Sequence, residues 1–247
     1  MQLIKRVVIN GNDVKLVNDN LVRELQTPGV AVLVVESDKP LAEGNLVQYS
    51  LGWRRDSVRI WFLGYIEQVI PMDNRQRRLL VRELPATLNR RMPMALRHCS
   101  VSDVLAAIAA DTGLQFTLGK GEWRDRRAPF FFHTGGGYLA MDSIGAAFRI
   151  PNYVWQLQSD GRVYVGSWSG LPDTGAVVPV PVRQLTAYTA GNSASVPTLP
   201  RFHPGIRIQI GDSDPVIITR VEQQGAGMRL AWSANPWDLR LKRTAAA

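Results

Sequence analysis

The sequence predicts a mainly β protein of the α+β class: an antiparallel barrel first, a small helical module in the middle, and strands again to the end. Three observations carry this. Residues 42–69, AEGNLVQYSLGWRRDSVRIWFLGYIEQV, hold two long strand-like runs joined by Arg-Arg-Asp-Ser. Residues 100–114, SVSDVLAAIAADTGL, switch to helical spacing. Residues 203–237 return to alternation, with Ile206, Ile208 and Ile210 separated by Arg207 and Gln209, the pattern of a half-buried strand.

Taken in order, residues 3–9 and 14–17 form a strand pair around the turn Asn10-Gly11-Asn12-Asp13. Residues 21–25 suit a strand or a helical turn, and residues 29–36 a β-branched strand ended by SDKP. In the return strand, 58–70, Val58, Ile60, Phe62 and Ile66 fall on one face, and Trp61, Leu63, Tyr65 and Val69 on the other. Both faces are apolar, so one fills a core and the other needs a second cover. Gly64 is the expected site of the bend or bulge that closes the sheet. Residues 76–84 pair back through the turn MDNR, completing a barrel of about 90 residues.

Ser100 suits the N-cap of the first helix and Gly113 its stop, with Val101, Val104, Leu105 and Ile108 as the apolar stripe. Residues 114–118 form a short strand. Residues 138–151 form a second helix, with Ala140, Ile144, Ala147 and Phe148 facing inward. Residues 152–158 and 162–168 flank Ser159-Asp160-Gly161, a strong hairpin signal. Beyond a proline-punctuated stretch and a loop at 189–197, strands 206–210, 215–222 and 228–233 make a meander, and the tail LKRTAAA is expected to fray.

Composition narrows the function classes. The chain has 247 residues, 45% of them hydrophobic, enough for one large β-rich domain or two to three small ones. Its long apolar run, GVAVLVV at 29–35, falls far short of the roughly 20 residues that span a bilayer. The start, MQLIKRVVINGND, carries charge within its apolar stretch and lacks the form of a secretory signal, so a soluble product of a cytoplasm, with no membrane insertion, is expected. One cysteine, Cys99, excludes an internal disulfide and a cysteine metal site; beside His98 at a helix entry it reads as a small semi-buried residue.

The net charge is +8, and it is uneven: residues 54–97 hold ten arginines against Asp56, Glu67, Asp73 and Glu83. Only five of the 29 basic residues are lysines. Arginine makes forked, partly dry contacts with carboxylates and phosphates, which suits a protein interface or a nucleic-acid path, beside the plainer reading of a solvated basic face.

Catalytic signals are weak. His98, His133 and His203 are scattered without metal spacing, and no G-x-S-x-G elbow occurs. Asp212 and Asp214 suit a turn. His133-Thr134-Gly135-Gly136-Gly137 precedes a helix, but no Lys-Ser/Thr follows, so a flexible connection is favoured over a phosphate cradle. The cluster at 129–132 reads as a core strand or a protein contact. Trp53, Trp61 and Tyr65 on a basic barrel would suit an OB-like nucleic-acid platform, the alternative function class, although burial explains Trp61 and Tyr65 better.

The order of parts is more specific than any motif. Gly44-Asn45-Leu46-Val47 leads into a strand, Phe62-Leu63-Gly64-Tyr65-Ile66-Glu67-Gln68-Val69 closes the next, Ser100 to Leu105 opens a helix that ends at Gly113-Leu114, Trp155 to Gly161 precedes Val163-Tyr164-Val165-Gly166, and Pro204-Gly205 opens the last meander. This series resembles the baseplate-hub, late-control-type tail proteins of tailed bacteriophages, and is similar to the hub part of type VI secretion spike proteins, over about residues 3–233. The resemblance implies two antiparallel, tube-type β-barrel domains at 1–95 and 169–247, with an α+β insert at 96–168. It implies a structural, non-enzymatic homotrimer without cofactor or metal, forming a pseudo-sixfold ring in the virion. That ring would join the tail tube or distal tail protein to a tip, spike or central fibre, with the tape-measure protein as a further neighbour and DNA passing without sequence-specific binding. The short length implies a simpler tail, with any puncturing or wall-cutting domain on another protein. On this reading Trp61, Leu63 and Tyr65 form the inter-subunit face, and Arg54, Arg55, Arg59, Arg75, Arg77, Arg78, Arg90 and Arg91 contact partners or the lumen.

Overall fold

The computed structural model describes residues 3–189 and 192–237; the tail 241–247, expected to fray, lies outside them. By contacts the chain forms two compact units, Met1–Glu83 with Gly175–Ala247, and Leu84–Thr174.

In the first unit, β1 (Ile4–Ile9), β2 (Asn12–Glu24), β3 (Thr27–Glu36), β4 (Leu46–Gly52), β5 (Arg59–Pro71) and β6 (Gln76–Glu83) pair in the order β1-β4-β5-β6-β3-β2. The β1–β2 ladder closes the ring into a six-stranded antiparallel barrel. Asn10 and Gly11 both have positive φ, 46° and 79°, the backbone a two-residue hairpin turn requires. Residues 21–25, read as strand or helical turn, belong to β2 for all but Leu25. The barrel interior is solid: Leu33, Val47, Tyr49, Phe62, Ile66 and Leu79 are at most 1% exposed, as small barrels fill their cores with side chains.

The second unit contains β7 (Met94–Cys99), α1 (Val101–Thr112), β8 (Gln115–Leu118), β9 (Ala128–His133), α2 (Gly137–Ala147), β10 (Tyr153–Leu157) and β11 (Arg162–Ser167). α1 starts and stops as its sequence dictates: Ser100 and Asp103 form a reciprocal capping box, and Gly113 ends it in the left-handed region at φ 73°. Its predicted stripe, Val101, Val104, Leu105 and Ile108, is buried. In α2 Ala147 is exposed, and Met141 and Gly145 share the inward face instead. The β10–β11 hairpin takes β8 as a parallel third strand, while β7 and β9 form a separate two-stranded ribbon. β7 spans the expected boundary at 95/96 because its ladder runs to β9.

The chain then returns to the first unit with β12 (Val177–Val180), β13 (Thr186–Thr189), β14 (Ser193–Pro197), β15 (Arg207–Ile210), β16 (Val216–Gln224) and β17 (Gly227–Ser233). These run in the order β12-β15-β16-β17-β14-β13. The expected meander is β15–β17. The expected loop at 189–197 instead carries β14, whose inward Ala194 and Val196 pack in the core; its residues 190–191 lie outside the description. The two β layers are one sheet. Along the same edge of β2, residues Asn12–Val14 pair with β1 and residues Asn20–Glu24 pair with β16.

β5 departs from simple alternation, and this corrects the assignment of Trp61. Tyr49 of β4 faces Phe62, but Ser50 faces Ile60, so Trp61 is an extra residue in a bulge. The bulge places Trp61 and Phe62 both inside, 2% and 1% exposed. A second irregularity leaves Glu67 extra between Ile66 and Gln68. The bulges thus flank Gly64 rather than fall on it. Gly64 has another reason to be glycine: a Cβ there would sit 2.1 Å from the Arg82 carbonyl oxygen.

Candidate assembly surface

The arginines close in sequence separate in space. Arg54 and Arg55 lie between β4 and β5 and Arg59 opens β5, whereas Arg75 lies in the β5–β6 turn and Arg77 and Arg78 in the first residues of β6. The 13 residues of β5 separate these groups, about 40 Å at the usual strand rise. Arg90 and Arg91 belong to the second unit. Some are anchored. Arg54 pairs with Asp56 at 3.1 Å, Arg59 donates to the Asp56 carbonyl at 3.0 Å, and Arg77 donates to the Asp73 carbonyl at 2.6 Å. Backbone N–H groups of Gln76 and Arg75 hold the Asp73 carboxyl below the usual carboxylate range and fix the turn. Arg90 donates to the carbonyls of Thr87 and Asp111. Arg55, Arg75 and Arg78 are exposed. The basic set is therefore two barrel ends plus a site on another unit.

The outer wall retains Leu63 and Tyr65, both half-buried, without Trp61. Register places Leu63 beside Gln48, and Tyr65 between Leu46 and Arg82. Leu46 is 52% exposed and Val32, opposite Leu80, is 38% exposed. An apolar band thus crosses β4, β5, β6 and β3, broken by the exposed Arg82–Glu67 ion pair at 2.9 Å.

Behind that wall lies a buried ionic node that periodicity alone did not reveal. Arg23 Nε meets Glu83 Oε1 at 2.7 Å, with both side chains under one-tenth exposed. Arg23 Nη1 also donates to the Trp61 carbonyl at 2.9 Å and to His203 Nδ1 at 2.8 Å, and its guanidinium stands 5.5 Å over the Trp61 ring. Glu83 Oε2 accepts the Gly29 N–H at 2.7 Å. His203 stacks on Trp61 at 5.9 Å, and the Trp61 indole donates to the Phe202 carbonyl at 3.1 Å. The residues around 202–203 are thereby fastened over the barrel mouth. Part of His203 reaches the surface, but its ring is enclosed on the Arg23 side; burial first, then the Arg23 charge, push its pKa down to about 3.

That shift has a sign. From pH 6.5 down to about 3 the unfolded chain holds more protons at this site than the folded one, so folding stability falls as pH drops through that window. The expected slope is about 1 kcal/mol per pH unit. Denaturant unfolding between pH 6 and 4.5 is expected to show it in the native chain and to lose it in His203→Gln. An equal slope in both would assign it elsewhere.

A second cluster lies on the same buried face of β2, four residues before Arg23. Lys5 Nζ contacts both Asp19 oxygens at 2.6 and 2.7 Å, and the Tyr49 hydroxyl donates to Asp19 at 2.5 Å. Burial, then Asp19's charge, push the Tyr49 pKa far up, so it stays a neutral donor. The register of β1 on β2 extends only from Val7–Ile9; Lys5–Asp19 bridges the strands beyond it. A signal for both clusters was present in sequence: Asp19 and Arg23 share the phase of Leu21, and Glu83 that of Leu79 and Val81.

The remaining candidates stay apart. Cys99 is buried and its thiol pushed up, first by burial. His133 contacts the Gly136 carbonyl at 3.0 Å. Gly137 gives its N–H to Arg90, and a Cβ there would lie 2.6 Å from the Leu88 carbonyl oxygen, so this glycine serves close packing. Among the described residues no cluster of three His, Cys, Asp or Glu side chains has a metal-binding arrangement, and no helix is long and apolar enough to cross a membrane.

A closed barrel joined edge to edge with a second six-stranded layer, and interrupted by an α+β unit, is a fold shared with bacteriophage tail proteins. The 43 kDa tail protein of prophage MuSo2 from Shewanella oneidensis superposes with a TM-score of 0.72 at 8% identity, over 94% of this chain and 98% of that one. An Escherichia coli type VI secretion component, described as structurally similar to the T4 tail proteins gp27 and gp5, superposes with a TM-score of 0.62 at 12% identity, over 93% and 80%. In sequence the chain is 25% identical over 205 residues to an uncharacterized 58.7 kDa protein of Haemophilus phage HP1. That match spans 83% of this chain and 38% of the relative's length. No protein-family model matches the sequence.

Proposed function

We propose that the chain is a structural hub protein of a bacteriophage tail: three copies form a ring, pseudo-sixfold in its β layers, between the tail tube and the distal tip, spike or fibre. The observation that carries this is the continuous sheet through β2 and β16, which gives each chain two six-stranded layers; three chains then supply six. The tail-protein fold supports the same reading. Because the closed barrel of each copy has a solid interior, the channel for DNA lies at the ring axis. The apolar band at Leu46, Leu63 and Tyr65 seals adjacent copies, a closed heterologous contact of the kind that forms rings. The arginines at the barrel ends, 54, 55 and 59 on one side and 75, 77 and 78 on the other, meet the proteins above and below; Arg90 and Arg91 act from the insert. The OB-like alternative loses part of its platform, since Trp61 is buried and the Trp53 indole donates to the Thr198 carbonyl.

Light scattering at several concentrations, alone and with tail-tube subunits, tests this. The expected mass is three times 27.5 kDa. Leu63→Asp should reduce trimer formation at least tenfold while leaving the monomer folded, and Arg77→Glu with Arg78→Glu should weaken tube binding. A monomer under all these conditions, or tight oligonucleotide binding that falls steeply with salt, would refute the hub.

A further inference from the structure

The β7–β9 ribbon presents one buried and one bare face. Phe131 is 4% exposed, whereas Phe130 and Phe132 on either side are 65% and 74% exposed. Their cross-strand neighbours are Arg97 and Ala95, also exposed. The Arg97 guanidinium lies 5.6 Å from the Phe130 ring, holding a cation beside the apolar surface.

We propose that this face, Phe130 and Phe132 beside Arg97, binds an extended acidic segment of another protein in which carboxylates alternate with apolar side chains. Three arguments select that occupant. The first is charge: Arg97 puts a cation on this face, and residues 91–102 and 126–141 contain no carboxylate. Of the acids that border these stretches, Asp103 faces Arg127 at 3.7 Å, Asp142 accepts from the Trp155 indole at 2.9 Å, and Asp125 precedes Arg126. The second is area. Two phenyl rings at this exposure offer about 300 Å², well short of the ~800 Å² per partner of a stable protein dimer but adequate for a short segment. The third is symmetry: a two-fold contact with a second copy would bring Arg97 toward Arg97 with no acid between. Nucleic acid is disfavoured because the ribbon offers Arg97 rather than a track of cations. The ribbon has two strands, so its edges can also take up an extended chain through the backbone. This inference does not depend on ring formation.

The full-length chain would be titrated against three fluorescent probes, read by anisotropy: a twelve-residue peptide alternating Glu with Leu and Phe, its Lys-for-Glu counterpart, and a twelve-nucleotide oligothymidine. The acidic peptide is expected to bind at least tenfold tighter than either other probe. Phe130→Ser with Phe132→Ser should abolish that binding, and Arg97→Glu should shift preference toward the Lys peptide. The second variant keeps the test decisive if the first fails to fold. No binding, equal binding of the basic peptide, tighter oligothymidine binding, or retention of both affinity and preference by the variants would overturn the proposal. So would self-association removed by the Phe130→Ser, Phe132→Ser pair, which would mark a second copy as the occupant.

Discussion

Glu83→Ala is expected to destabilise the first unit by about 3–5 kcal/mol, the cost of leaving a buried charge without its partner. Arg23 would keep its charge in a site where it is under one-tenth exposed. The Gly29 N–H would lose its acceptor as well. Removing both charges with Arg23→Met and Glu83→Leu should cost much less than the sum of the single changes, because no unpaired ion remains. Hydrogen exchange of the Leu21–Glu24 amides, followed with and without denaturant, would report the loss where it arises. A single-variant loss below about 1 kcal/mol would mean that the ion pair is solvated and contributes little.

Trp61→Ala is expected to cost about 3–5 kcal/mol by cavity formation alone. Beyond volume it removes the indole donor to Phe202, the ring under Arg23 and the surface on which His203 stacks. Trp61→Phe should recover part of the loss, since a ring remains but the donor does not. The contrast with Leu63→Asp is diagnostic. A change at the bulge residue should lower the unfolding midpoint, whereas one two positions along should change association and leave the midpoint nearly intact. Equal effects on folding at both positions would show that the outer wall is core as well.

Much of this architecture was legible because it follows local rules. α1 was fixed by Ser100, Asp103 and Gly113, three residues whose chemistry is confined to one helix. The β10–β11 hairpin followed from Asp160-Gly161, and the first strand pair from Asn10-Gly11. What escaped depended on distant partners. The bulge at Trp61 shows only in the ladder to β4, so simple alternation put the residue on the wrong face. β12 and β13 are short strands of four residues, and β14 is Ser- and Ala-rich; each is held by a neighbour rather than by propensity. The ten arginines crowded between residues 54 and 97 part in space, because antiparallel strands carry successive loops to opposite ends. His203, scattered from every other histidine, acquires a role only because β2 delivers Arg23 beside it.

The β2–β16 ladder has a consequence for biosynthesis. Glu24 and Arg220, which form an ion pair across it, stand 196 positions apart. At about 5–20 residues per second, a ribosome needs roughly 10–40 seconds between the two. During that interval the tip of β2 has no hydrogen-bonding mate on that edge, while Leu84–Thr174 emerges. A chaperone that shields nascent strands would have its natural target there, and slowing translation late in the message should lengthen the hazard.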